Sequence, residues 1–293
     1  AVTVAYHAAQ FNIGGEGQAQ LGGLGVALVC LALPWPHWTV ALLAASLGAA
    51  LFGAAWAAIP AWLQARFGSH IVITTIMFNY VAASVMIYFL SDVLRPVGQS
   101  DPASARFPVG AKLPSLHDVP ILGALFDART PANISFFIAV IACFGVWLLL
   151  FRSKLGYEIR AFGKSESAAI YAGISPTKVI MVSMLISGAL AGMMAINNVM
   201  GESERLVLNA SEGAGFIGIA VALMGRNHPL GVAIAALLFG FLYQGGAELG
   251  LWTTIPIELR IVIQGLVILF TGALDGMMRM VVARIFGLVR GRA

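Results

Sequence analysis

Charged side chains are scarce in this 293-residue chain: Asp, Glu, Lys and Arg make up 10% of it against 59% apolar residues, and the mean hydropathy is +0.89. Soluble domains carry about 25% charged residues, so there is too little polar surface here to cover a water-soluble globule. Cysteine is almost absent too. Cys30 and Cys143 each lie inside an apolar block, with no CxxC pair and no histidine at ligand spacing, which indicates neither a disulfide nor a metal site. The five histidines are scattered, and the sequence has no GxSxG elbow, HExxH pair or DxD cluster, so no catalytic group is visible. Phe162-Gly163-Lys164-Ser165 ends like a phosphate-binding loop, but Glu158 stands where that loop requires its first glycine, and no strand precedes it. The net charge of +4 does not signal nucleic acid, because the bases gather at the edges of apolar blocks rather than on a face interleaved with aromatics. The chain opens on Ala1 without the basic region, short apolar stretch and cleavage site of a secretory leader, and a further segment is expected upstream.

What is there is long apolar runs. Crossing hydrocarbon takes about 20 helical residues at 1.5 Å rise each. Uncharged blocks at 17–33, 39–59, which ends at Pro60, 68–91, 130–151, between 178 and 202, and between 226 and 248 meet that need. Trp35 and Trp38, around the Pro34–Pro36 interruption, suit an interfacial belt. Two further pieces, 213–225 and 261–274, are short; the first reads as a re-entrant or tightly packed helix, or alternatively as an interfacial one. The expected fold is an all-α polytopic membrane protein, a single transmembrane domain over 1–293, with about eight transmembrane or re-entrant helices and a broken helix near the N-terminus. Residues 91–131 are Pro-rich, with four acids and four bases, and read as an extramembrane loop. Placing 152–178 in the cytoplasm puts eleven Lys/Arg and three acids inside against six bases and nine acids outside, which is the sense of the positive-inside rule. That orientation makes 91–131 extracytoplasmic and the C-terminus cytoplasmic. Residues 277–293 then form a basic tail, with Arg279, Arg284 and Arg290 among apolar residues as on a helix lying against an anionic leaflet.

Polar residues inside the apolar runs are the candidates for function. Asn12-Ile13-Gly14-Gly15-Glu16-Gly17-Gln18 places three glycines, an acid and amides between apolar segments, a pattern that breaks a helix. Backbone freed in this way is tolerated in a bilayer only beside a polar cavity or other protein. Asn12, Glu16 and Gln18 are therefore candidates for the solute path, with Glu16 equally readable as an anchor for the break. Asn79, in the middle of a span, either lines the path or bonds helix to helix. Asn197, Asn198 and Gln264 carry the same ambiguity, whereas Ser187, Gly188, Ala189, Ala191 and Gly192 read as small residues for close helix packing.

Between two spans lies FRSKLGYEIRAFGKSESAAIYAGISPTK, residues 151–178, a polar stretch expected to form one helix from about Gly156 to Ala172 before Gly173 and Pro176 end it. From charge alone it is either a lever for a soluble partner or a loop obeying the positive-inside rule. Its residues settle the choice by similarity. Gly156, Tyr157, Ile159, Arg160, Ala161, Gly163, Ala168, Ala169, Tyr171, Ala172, Gly173 and Ile174 fit the pattern G-Y-x-I-R-A-x-G, A-A, Y-A-G-I. With Phe11-Asn12-Ile13-Gly14, Thr74 to Tyr80, Ser187 to Gly192 and Gly215 to Gly231, the chain resembles ABC importer permeases of the ribose and branched-chain amino acid type, nearest their nucleoside and simple-sugar branch. The resemblance implies a permease that is not itself an enzyme, in a bacterial inner (cytoplasmic) membrane. It also implies cytoplasmic ABC ATPase subunits carrying ATP and Mg, a second homologous permease chain and an extracytoplasmic solute-binding protein, and no cofactor in this chain. Gly156, Glu158, Arg160, Gly163, Ala169 and Gly173 become the candidate coupling residues. The chain departs from the family at Ser165-Glu166, where Asn-Pro is usual, at His228 and at Gly15, and the family has an additional N-terminal span. An ion-coupled secondary transporter is the rival reading, with Glu16 as its one candidate coupling acid.

Overall fold

The computed structural model describes residues 1–119, 132–252, 259, 262–267 and 269–270. Among them the regular structure is helical, with two isolated β-bridges, Ala103 with Val207 and Ser115 with Asn133. The chain divides into two compact units, 1–219 and 220–293. Among the described residues five helices are long and apolar enough to cross a membrane.

In the first unit α1 (Val2–His7) is short and α2 (Gly15–Ala32) follows an irregular stretch. The predicted break therefore occurs, over residues 8–14. Next comes α3 (Trp38–Phe67), which runs on through Pro60 where the sequence suggested an end. In lipid an opened helix has no water to satisfy its backbone, so continuing past one missing N–H is the cheaper course. The helix stops at Gly68, which takes the left-handed conformation (φ +67°) and donates its N–H to Gln64 O. Then α4 (Ile71–Tyr88) widens into a π-helical turn at Phe89–Val93.

After the described part of the 91–131 segment come α5 (Ser135–Arg152), α6 (Lys154–Lys164), α7 (Glu166–Tyr171) and α8 (Pro176–Met193), the last followed by a π-helical stretch, Ile196–Glu202. The short apolar run becomes α9 (Ala214–Met224), and α10 (Pro229–Trp252) belongs to the second unit. The predicted tail, 277–293, lies outside the described residues, as do 261, 268 and 271–274 of the short piece 261–274, whose described residues are helical.

The first unit is built around α2, α3 and α8. Their backbones meet at glycines: a Cβ on Gly22 would overlap Gly192, and one on Gly53 would overlap Gly188 O. Lipid tails are as apolar as leucine, so close approach of this kind, rather than burial of oil from water, is what holds membrane helices together. Around the seam pack Leu24, Val26, Met86, Leu90, Ile196, Met200 and Leu206. The outward faces are as apolar as the core. Leu43, Leu47 and Leu51 form an exposed stripe on α3, Ile73, Met77 and Tyr80 one on α4, and Ile141 and Phe144 one on α5. In α10 of the second unit Leu230, Ile234, Leu237 and Phe241 do the same. These faces need lipid or another chain against them.

At the end of the first unit away from α6 and α7, residues 103–116 fold over the 196–212 segment. Ser104 N–H donates to Leu206 O, Phe107 N–H to Glu204 O, and Glu204 pairs with Lys112 and, at 3.7 Å, with Arg106. Asn197 and Asn198 lie in the same region. The Asn197 Oδ1 accepts from Asn133 Nδ2 and Ser135 Oγ, each at 2.9 Å, and Asn198 Nδ2 donates to Ala210 O.

Candidate functional site

The break between α1 and α2 is held by a cluster of buried amides. Asn12, 2% exposed, uses its full capacity. Its Nδ2 donates to Gln18 Oε1 and to Ser187 Oγ on α8, both at 2.9 Å, and its Oδ1 accepts from Gly14 N–H and Gln18 Nε2. On the other side α4 presents Thr75, Asn79, Ala82 and Met86 as one buried face at helical spacing. Asn79 clamps the break there: Nδ2 donates to Ile13 O at 3.0 Å and Oδ1 accepts from Gly17 N–H at 2.9 Å. Thr75 Oγ1 accepts from Ile13 N–H at 3.4 Å. Backbone groups that the broken helix cannot pair within itself are thus paired by side chains of α4 and by Asn12.

Glu16 has a different set of partners. Its Oε1 accepts from Ser211 Oγ at 2.5 Å and from Gly213 N–H at 3.1 Å, and its Oε2 accepts from Gly215 N–H at 2.9 Å. These donors open α9, and Glu16 itself stands in the first turn of α2. Two helix N-termini therefore meet at one carboxylate, each carrying about half a positive charge. The close fit of Gly15 on Gly215 allows it, since a Cβ on Gly215 would overlap Glu16 N. Of the four path candidates, Asn12, Gln18 and Asn79 thus gather at the break, and Glu16 joins it to α9.

Gln20, which the sequence reading did not single out, lies two residues past Gln18 and so on nearly the opposite side of α2. Its Oε1 is buried without a hydrogen-bond partner, and the residue lines a cleft with Ala83, Met86, Val199, Asn209 and Ser211. The cleft has room for about one water molecule. A third amide after Asn12 and Gln18, within the nine residues 12–20, was the available signal.

Along the predicted coupling segment the structure places two helices where one was expected. Ser165 (φ −159°, ψ 107°) leaves the helical region, ends α6 and caps α7 through its Oγ, which accepts from Ala168 N–H. Glu166 then sits in the first turn of α7, favourable to that dipole. This is the site of the Ser165-Glu166 departure noted in the sequence. One residue, Ser153, separates α5 from α6, and Gly156 is what lets α6 fold back, because a Cβ there would overlap the carbonyls of Leu149 and Leu150.

The α6 face formed by Gly156, Ile159 and Phe162 is buried, and with Ala169 of α7 it packs on Ala8, Leu150, Val179 and Ile180. Glu158 pairs with Lys178 of α8 at 3.3 Å, and the Arg160 guanidinium lies over the Phe151 ring at 5.2 Å. Gly163 abuts the turn after α1: a Cβ there would overlap His7 O and come within 3.0 Å of Ala9 N. Ala9 holds φ +55° in that turn, a strained value for a residue with a side chain. Gly173 (φ +79°) supplies the left-handed residue that ends α7, and Ser175 and Pro176 start α8. On the outside of the same segment Tyr157, Ile170 and Tyr171 are exposed, Tyr171 by 95%. Among the described residues no group of three or more His, Cys, Asp or Glu is placed to hold a metal ion.

A polytopic helical bundle with a polar break in its interior and a short amphipathic pair of helices folded under one end defines a membrane transport protein of the permease class. Residues 1–272 match the family described as branched-chain amino acid transport system / permease component, and the chain belongs to that family. It is 36% identical over 274 residues to a guanosine ABC transporter permease protein of Bacillus subtilis, a match covering 93% of this chain and 76% of the relative. A glucose ABC transporter permease protein of Haloferax volcanii is 34% identical over 271 residues, 92% of this chain and 71% of the relative. A nucleoside ABC transporter permease protein of Lactococcus lactis is 35% identical over 247 residues, 83% of this chain and 66% of the relative. No solved structure matches the chain.

Proposed function

We propose that this permease carries a neutral, hydroxyl-rich solute, a nucleoside first and a simple sugar second, across the cytoplasmic membrane, driven by ATP hydrolysed in separate subunits. In this reading α6 and α7 face the cytoplasm, as does the C-terminus, and residues 91–131 lie outside. The exposed Tyr157, Ile170 and Tyr171 offer the apolar surface on which an ABC ATPase docks. ATP and Mg belong to that subunit, a second homologous permease chain completes the path, and an external binding protein delivers the solute.

The observation that carries the reading is the contact of Gly163 with the backbone of the His7–Ala9 turn. A displacement of α6 is passed directly to that turn, and three residues later the chain reaches Asn12 and the broken helix. The segment 8–14, held by side-chain bonds rather than by a helical ladder, is the element with two arrangements that an ATPase can bias. The neutrality of the solute follows from charge. Glu16 already satisfies both helix N-termini, and among the described residues no Lys or Arg is buried to meet a solute carboxylate. Relatives named for guanosine, nucleosides and glucose support the same class. Asn12, Gln18 and Asn79 then hold the break beside the path and exchange partners as it moves. Ion coupling finds little support, since the one acid buried among the described residues is engaged by three donors.

Co-purification followed by mass spectrometry, and uptake by proteoliposomes, test this. A stoichiometric ATP-binding subunit and ATP-dependent uptake of guanosine or glucose are expected. Full-rate uptake by this chain with no second polypeptide present would refute it.

A further inference from the structure

Helix α5 is anchored at its two ends and little held between them. Where it begins, Asn133 is 6% exposed and ties it to the π-helical stretch at Ile196–Glu202. The Asn133 Nδ2 donates to Asn197 Oδ1 and its Oδ1 accepts from Ser135 N–H, both at 2.9 Å. The side chain lies against Gly201, where an added Cβ would overlap it. Ile134 and Ile138 add apolar contacts to the core there. Where α5 ends, Val146, Leu149 and Leu150 pack in one cluster with Ile159 and Phe162 of α6, and Ser153 alone separates the two helices. Leu150 is the one buried side chain of α5. Val140, Ile141 and Phe144 are exposed, and a Cβ on Gly145 would meet nothing within 4 Å. At 1.5 Å per residue the helix is about 27 Å long, and its hydrogen-bonded turns keep that length when one end is pushed.

From Asn133 a line of bonds continues to the broken helix. Asn197 Nδ2 donates to Asn198 Oδ1 at 3.1 Å, Asn198 Nδ2 donates to Ala210 O at 2.6 Å, and the next residue, Ser211, donates to Glu16. The backbone along that line is strained. π-Helical turns are rare and mark functional positions, and Glu204 (φ +51°), Asn209 (φ +57°) and Glu212 (φ +46°) hold left-handed conformations. Residues with side chains keep such values only where their surroundings impose them, as in switch regions.

We propose that α5 is a strut that carries the displacement of α6 to the opposite end of the unit, with Asn133 as the positioning residue that joins it to the segment holding Glu16. The proposal rests on the permease reading above. One movement of the ATPase then reaches the broken helix twice. Gly163 passes it to the turn at Ala9, ahead of the break, and Asn133 passes it through Asn197, Asn198 and Ser211 to Glu16, after the break. The two ends of the path are thereby set together, as a path open to one side at a time requires.

Continuity of contacts becomes coupling only where both ends bias one element, so the test reads movement at the far end. The complete transporter, with Cys30 and Cys143 replaced by alanine, carries a single thiol from Glu202→Cys, exposed at the end of the π-helical stretch. In nanodiscs the rate of its reaction with a charged thiosulfonate is measured without nucleotide and with ATP and vanadate. A change of about threefold or more between the two states is expected in this parent. Gly145→Pro kinks α5 where nothing packs on it, and Asn133→Ala removes both bonds without introducing an overlap. In each variant the change is expected to disappear, and the ATP hydrolysed per solute taken up by proteoliposomes to rise about threefold or more. Gly145→Ala should keep the parent's values. A merely structural role for Asn133 would lower the melting temperature and leave the change in thiol reactivity intact. A change that persists in Gly145→Pro and Asn133→Ala, or that is missing from the parent, overturns the strut, and ATP-driven uptake of guanosine or glucose by the parent then leaves the permease reading standing. Absence of any ATP-driven uptake by the parent removes that reading and the strut with it.

Discussion

Replacement of Glu16 by glutamine separates a structural carboxylate from one that meets the solute. The glutamine Oε1 can still accept from Ser211 Oγ and Gly213 N–H, but an NH2 group then faces the Gly215 N–H, donor against donor. A hydrogen bond to a charged acceptor contributes about 1.5–3 kcal/mol. Loss of the negative charge at two helix N-termini removes about 0.3–1 kcal/mol at each. Two effects work the other way. An amide is easier to bury than a carboxylate, and the unfolded chain in a membrane finds partners too, so that interhelical side-chain bonds average about 0.6 kcal/mol. The net expectation is a loss of about 2–3 kcal/mol, a fall in melting temperature of roughly 3–5 °C for a chain of this size. Thermal unfolding of the purified transporter in nanodiscs measures it, alongside uptake. Ser211→Ala should be less damaging alone and less than additive with Glu16→Gln, because both act on one carboxylate. An unchanged melting temperature with transport abolished would refute the reasoning and put the carboxylate in contact with solute. An unchanged value for both properties would show that the three bonds matter to neither.

Other substitutions follow from the same geometry. In Gly163→Val, overlap with His7 O should hold α6 away from the α1 turn; overpacking of this kind costs about 1–3 kcal/mol, so uptake should fall about tenfold or more while ATPase activity persists, and unchanged coupling of the two rates would count against the linkage. Ser187→Ala removes one acceptor from Asn12 Nδ2 but leaves Gln18 Oε1, so a modest loss of stability, about 0.6 kcal/mol, is expected in thermal unfolding. Gly192→Leu places a side chain where the backbones of α2, α3 and α8 meet and should prevent recovery of folded protein, as read by size-exclusion profile in detergent. Glu158→Ala should shift the melting temperature hardly at all, because an ion pair with one partner 58% exposed contributes at most about 1 kcal/mol.

Much of the architecture was legible because lipid imposes simple rules: runs without charge became α2 to α5, α8 and α10, and a glycine-rich polar interruption became a break. Ends were harder. Pro60 looked like a terminator and is not one, since helix continuation past a proline depends on what else could satisfy the backbone, which a sequence does not state. The coupling segment divided at Ser165 because a serine that caps a following helix and a serine inside a continuous helix read alike until the backbone is seen.

The partners of the buried polar residues were the least legible part, for a physical reason. Asn12, Glu16 and Asn79 sit inside apolar runs either to meet a solute or to meet each other, and hydrophobic patterning is identical in the two cases. Only the list of bonds distinguishes them. Asn12 uses all four of its hydrogen-bonding positions within the protein, and Glu16 accepts from three donors. Gln10 and Gln20, which looked less important, each keep an amide oxygen buried without a partner. The conspicuous polar motif therefore pairs the backbone of the broken helix and ties it to α4, α8 and α9 within the protein. A side chain that both locked the broken helix and held the solute would couple tight binding to immobility, so residues bonded this fully within the protein are placed to hold the break.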